Sequence, residues 1–108
     1  MSIVDIKTEQ DFTDKVLNAT KPVLVDFWAA FPTYTMVEPD LKKVAALYEG
    51  KAVVAKLNVD ELPGIAACFD LVSIPSVIAF KNGREVCRVM GFRTVTDMEK
   101  ALDKAIGA

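Results

Sequence analysis

Hydrophobic positions along the first half of the chain change rhythm several times, and each change marks an element. Ile3 to Ile6 is a short strand-like run. Thr8-Glu9-Gln10-Asp11 then has the spacing of a capping box, and Phe12, Val16 and Leu17 after it predict a helix with that trio inward. Asn18 to Pro22 interrupts the helix. Val23-Leu24-Val25-Asp26-Phe27-Trp28 is nearly continuous apolar sequence, the pattern of a central parallel strand buried on both faces. Thr35-Met36-Val37-Glu38 is a second capping box. It predicts a helix ending at Gly50, with Met36, Val37, Leu41, Val44, Ala45 and Tyr48 on its inner face. Pro39 lies too far inside that helix for the tolerated first position, so a kink or a frayed first turn is expected.

The second half is read the same way. Ala52 to Val59 is a strand, and Pro63 to Phe69 a short helix with proline near its start. Ser76 to Phe80 and Glu85 to Met90 are strands joined by Lys81-Asn82-Gly83-Arg84, and Asn-Gly between two such runs signals a tight hairpin. Thr96-Asp97-Met98-Glu99 is a third capping box, leading a helix through Leu102 and Ile106 to Gly107. The order βαβαβαββα implies right-handed parallel crossovers and one antiparallel hairpin closing the sheet edge. The expected fold is α/β: a central mixed sheet of about five strands flanked by four helices. Without repeats, low-complexity tracts or linkers, residues 1–108 read as one domain.

Composition narrows the partners. The 108 residues are 52% hydrophobic and 26% charged, enough for one real core without staples. A formal net charge of -2 and the lack of any basic run argue against a nucleic-acid partner. The apolar stretches are strand-sized, so no membrane span is expected. MSIVDIKTEQ has neither a basic n-region nor an apolar h-region, which makes a cytoplasmic setting the expectation. There is no histidine, hence neither the usual general base nor the commonest metal ligand. Cys68 and Cys87 fall short of a zinc site and read as small buried or half-buried apolar residues. No metal or cofactor is expected.

Three separated segments resemble the thioredoxin family. VDFWA at 25 to 29 resembles the strand that leads into the family's active site. KLNVDELPGIAACFDLVSIPS at 56 to 76 resembles its third strand, the following helix and the loop holding its cis-proline. FKNGREV at 80 to 86, with Gly91, resembles its terminal hairpin. The resemblance spans essentially the whole chain and keeps the order of elements derived above.

The corner between strand and helix departs from that family. Thioredoxins usually read Trp-Ala-x-Trp-Cys-Gly-Pro-Cys-Lys/Arg-Met-x-x-Pro, whereas this chain reads Trp28-Ala29-Ala30-Phe31-Pro32-Thr33-Tyr34-Thr35-Met36-Val37-Glu38-Pro39. Phe31, Met36 and Pro39 match their counterparts by type, but one residue is missing and no placement of the gap restores a thiol. A paired-cysteine site needs a thiolate stabilised at a helix N-terminus and a second thiol to resolve the mixed disulfide. Thr33 and Thr35 cannot exchange with sulfur, and threonine activation needs an adjacent base. Thr35 reads instead as an N-cap with Glu38. The reading excludes dithiol chemistry at this corner.

The resemblance implies roles for the remaining positions. The family's buried aspartate, which assists thiol proton transfer, corresponds to Asp26, with Lys56 as its nearby partner; burial should raise its pKa. With no thiol to serve, Asp26 reads as a relic, as do Trp28, Pro32, Thr33 and Thr35. Ile74-Pro75 resembles the cis-proline loop, which in the family pairs its backbone with a bound peptide. Phe31, Tyr34, Ile74, Pro75, Gly91 and Phe92 would form an apolar rim for a protein or extended peptide. The first functional reading is therefore a redox-inactive binding module, monomeric or weakly dimeric. The second is a single-cysteine oxidoreductase using Cys87, whose thiol Arg88 could acidify, or Cys68. The third concerns origin: a thioredoxin whose active-site loop was replaced by design or selection.

Overall fold

The apolar run at 23–28 forms the middle of the sheet. The computed structural model describes residues 3–29, 38–71, 74–91 and 94–108. Its elements are β1 (Val4–Ile6), α1 (Glu9–Phe12), β2 (Val23–Trp28), α2 (Glu38–Leu47), β3 (Val53–Asn58), α3 (Pro63–Cys68), β4 (Ser76–Lys81), β5 (Arg84–Met90) and α4 (Val95–Gly107). The strands form one mixed sheet in the order β1-β3-β2-β4-β5. β1, β3 and β2 run parallel; β4 is antiparallel to β2, and β5 to β4. This is the α/β architecture the residue pattern implies.

Side chains alternate across β2 as the pleat requires. Val23, Val25 and Phe27 enter a core with Phe12, Val16 and Ile65 from the α1 and α3 side. Leu24 enters the opposite core with Leu41, Val44, Met98 and Leu102 from α2 and α4. On the first side Phe69 is the hub of an aromatic cluster, with ring centroids 5.7 Å from Phe12, 5.8 Å from Phe27 and 5.5 Å from Phe80. The chain leaving α3 is thus anchored to the sheet.

Several expectations need correction. Leu17 is not inward but 38% exposed. It lies one residue past Val16, about 100° around an α-helix, in a π-turn over Thr13–Leu17, and lines a groove between α1 and α3. The third capping box belongs to Thr94, not Thr96. Thr94 is extended (φ -100°, ψ 169°), its hydroxyl accepts from the Asp97 amide at 3.1 Å, and its own amide donates to the Asp97 carboxylate at 3.1 Å. Starting there gives the helix the phase that buries Met98, Ala101, Leu102 and Ala105. The first box, Thr8 with Asp11, forms as read. Thr35, Met36 and Val37 lie outside the described residues; Pro39 sits in the first turn of α2 as bounded here.

The hairpin turn shortens to Asn82-Gly83, both with positive φ (54° and 77°), as a tight primed turn demands. Tyr48 is half-buried and ties α2 to α4. Its hydroxyl donates to the Asp103 carboxylate at 2.7 Å, with the Glu99 carbonyl 3.2 Å away. Burial first, then that hydrogen bond, pushes the Tyr48 phenol well above its usual value of 10.0. The folded state therefore keeps the proton after the unfolded chain has lost it. Stability from this contact is full below about pH 10 and is lost as pH rises toward the folded value. Urea titrations from pH 9 to 11 should show Tyr48→Phe losing less stability over that interval than the parent.

Candidate functional site

One end of the sheet gathers the described site residues. The register Phe27↔Ser76 sets the end of β2 beside the start of β4, so Trp28 and the Ile74-Pro75 segment share that end. The Ile74–Pro75 peptide bond is cis. The Gly91 amide donates to the Pro75 carbonyl at 2.9 Å, which closes the β4–β5 ladder there. Gly91 has φ +79°, a conformation that side chains rarely adopt, and among the described residues, its chain neighbours aside, no atom lies within 4 Å of where a Cβ would be. The backbone of Ile74 makes no backbone hydrogen bond among the described residues.

Exposure picks out the apolar part of this end. Ile74 is 36% exposed and Met90, in register with Ser76, 49%. Sequence reasoning missed Met90; an apolar residue ending an edge strand just before Gly91 was the available signal. From Ile74 a groove of ≈440 Å³ runs past Leu71, Asp70, Ala67 and Ala66 to Val59. Phe31, Tyr34 and Phe92, expected on the same rim, lie outside the described residues, as do Pro32, Thr33 and Thr35.

Asp26 is buried to 1% exposure on the α2/α4 side of the sheet, in parallel register with half-buried Lys56 and opposite Val77. A buried carboxylate costs solvation that its contacts only partly return. Asp26→Leu is therefore expected to raise the unfolding free energy by about 1 kcal/mol or more, since Lys56 keeps access to water. A lower urea midpoint in this variant would instead make the carboxylate a structural anchor.

The cysteines are both free and lie on opposite sides of the sheet. Cys68 ends α3, is exposed and lines the groove between α1 and α3, of ≈500 Å³, with Phe12, Leu17 and Phe69. Cys87 packs against the α2/α4 core. The expected influence of Arg88 on Cys87 is corrected: successive strand residues face opposite ways, and Arg88 is engaged elsewhere. Its Nε and Nη2 donate to the two Glu85 carboxylate oxygens at 2.8 Å each, and its Nη1 to the Phe69 carbonyl at 2.8 Å. Among the described residues no group of three or more His, Cys, Asp or Glu is placed to hold a metal ion. Nor is any helix there long and apolar enough to cross a membrane.

Comparison with known proteins agrees with this architecture. The family model for Thioredoxin matches residues 3–104. Thioredoxins of Staphylococcus aureus strains N315, MW2 and USA300 are each 44% identical over 105 residues, covering 96% of this chain and 98% of each relative. On its fold, the arrangement at the end of its sheet and these matches, the chain belongs to the thioredoxin family.

Proposed function

We propose that this protein has given up dithiol exchange and binds an extended peptide segment of another protein at the Ile74-Pro75 corner. The observation that carries the reading is the absence of any cysteine between Trp28 and Met36 beside an otherwise retained scaffold. Disulfide exchange needs a thiolate attacker, and hydroxyls at Thr33 and Thr35 cannot supply one. The backbone of Ile74, which makes no backbone hydrogen bond among the described residues, and the exposed Ile74 and Met90 favour strand-like pairing with side chains in flanking apolar pockets. The two free thiols accord with a reducing, cytoplasmic setting.

Two measurements test this. In an insulin turbidity assay with dithiothreitol, the protein is expected to give no rate above the dithiothreitol blank; a clear rate would refute the loss of exchange. In a lysate pull-down, Phe31→Ala/Tyr34→Ala should lose at least one protein that the parent captures and a bead control does not. A second reading, single-thiol chemistry, is favoured by the exposure of Cys68. One thiolate can form a mixed disulfide with a partner, but an external thiol must then release it. That reading requires a fast-reacting thiol in native titration that disappears in Cys68→Ser.

A further inference from the structure

The hairpin strand holds an ion pair that strand geometry normally forbids. Residues three apart on a regular strand point to opposite faces, yet Glu85 and Arg88 meet in a two-pronged contact. The reason is a β-bulge. The register passes from Ala79↔Cys87 to Phe80↔Glu85 and leaves Val86 without a partner, which turns Glu85 and Arg88 to the same face. With two guanidinium nitrogens held by Glu85, Arg88 presents the third to the Phe69 carbonyl just beyond α3. Both side chains are mostly shielded, 22% and 33% exposed, so this is no loose surface pair.

Phe69 is where the chain leaves α3 for the candidate slot. Asp70 follows with φ +49°, its amide donating to the Ala67 carbonyl at 3.2 Å. The connection to β4 is thus fixed to β5 at both ends: by Arg88 at the Phe69 carbonyl and by the Gly91 amide at the Pro75 carbonyl. Attraction between Asp70 and the Arg88 guanidinium adds to the first attachment.

We propose that the bulge-dependent Glu85–Arg88 pair is a positioning clamp for the peptide slot, setting the approach of the chain to Ile74-Pro75 and with it the affinity for an extended peptide. The affinity half rests on the function proposed above; the positioning half does not. Arg88 and Glu85 are positioning residues, acting through the Phe69 carbonyl.

Residue-resolved amide exchange on the intact chain decides the positioning half without any ligand. In Arg88→Met, exchange at Phe69, Asp70 and Gly91, whose amides donate to the Ala66, Ala67 and Pro75 carbonyls, should speed up about tenfold or more, the scale of a lost charge-assisted hydrogen bond. Amides of β2 and β3 should keep their parent rates. Arg88→Lys should not restore the parent pattern, because one ammonium cannot replace a three-nitrogen fork. Glu85→Gln should fall between parent and Arg88→Met. Unchanged exchange at the three sites, uniform acceleration across the sheet, or full rescue by lysine would each overturn the clamp. For the affinity half, a peptide selected on the parent from a random display library serves as probe. Its dissociation constant should rise about tenfold in Arg88→Met. An unchanged constant, or no selected peptide at all, overturns that half, and the second result also removes the peptide-binding reading itself.

Discussion

Replacing Phe31-Pro32-Thr33-Tyr34-Thr35 with Trp-Cys-Gly-Pro-Cys-Lys is expected to produce a protein that reduces insulin disulfides at about tenfold or more the rate of dithiothreitol alone. A thiol at a helix N-terminus with a pKa near 7 is about half ionised at neutral pH, against a few per cent for an ordinary thiol, and the thiolate is the attacker. In the restored reaction the first thiolate forms a mixed disulfide and expels one partner sulfur. The second cysteine then expels the other and leaves an internal disulfide, which dithiothreitol reduces. Beside the corner Asp26 is buried, with Lys56 in register next to it. Failure of the graft, in a variant that folds with the parent's stability, would mean that the loss of exchange extends beyond the corner loop.

Gly83→Ala should lower stability by about 3 kcal/mol. Two costs add here. At φ +77° a side chain enters the left-handed region, worth roughly 1–2 kcal/mol. The new Cβ would also stand 2.7 Å from the Leu17 carbonyl oxygen, a backbone atom that cannot swing away as a flexible side chain could. Overpacking of that kind costs about 1–3 kcal/mol. Urea unfolding should show a lower midpoint with an unchanged slope. Asn82→Ala, at φ 54°, carries only the conformational cost and should lose about 1 kcal/mol. Equal losses in the two variants would show that the Leu17 contact relaxes freely.

The elements most legible in the sequence are those fixed by neighbours in the chain. Thr8 with Asp11 and Asn82 with Gly83 are local devices, and both form where the residues place them. Thr94-Val95-Thr96-Asp97-Met98-Glu99 is ambiguous locally, since it contains two overlapping boxes of the same spacing. Packing of Met98, Ala101 and Leu102 decides between them, and packing is not written in six residues. Leu17 fails for a related reason: its apolar character marks a groove wall rather than the core.

The candidate site was legible where it rests on Ile74, Pro75, Gly91 and Asp26, each tied to a strand end or register. Arg88 was misread as a neighbour of Cys87, because adjacency in sequence is opposition on a strand. Its true partners need the bulge at Val86, and a one-residue slip in pairing leaves no trace in hydrophobic pattern.

That bulge also bears on how the protein survives in a crowded solution. β5 is an outer strand of the sheet, and outer strands are templates on which other chains can zip into fibrils. An extra residue at Val86 bends and twists the strand, and Arg84, Glu85 and Arg88 set charges along it. A straight foreign strand finds no flat row of amides there, so the same irregularity that brings two charges together makes this border of the sheet a poorer template for strand addition.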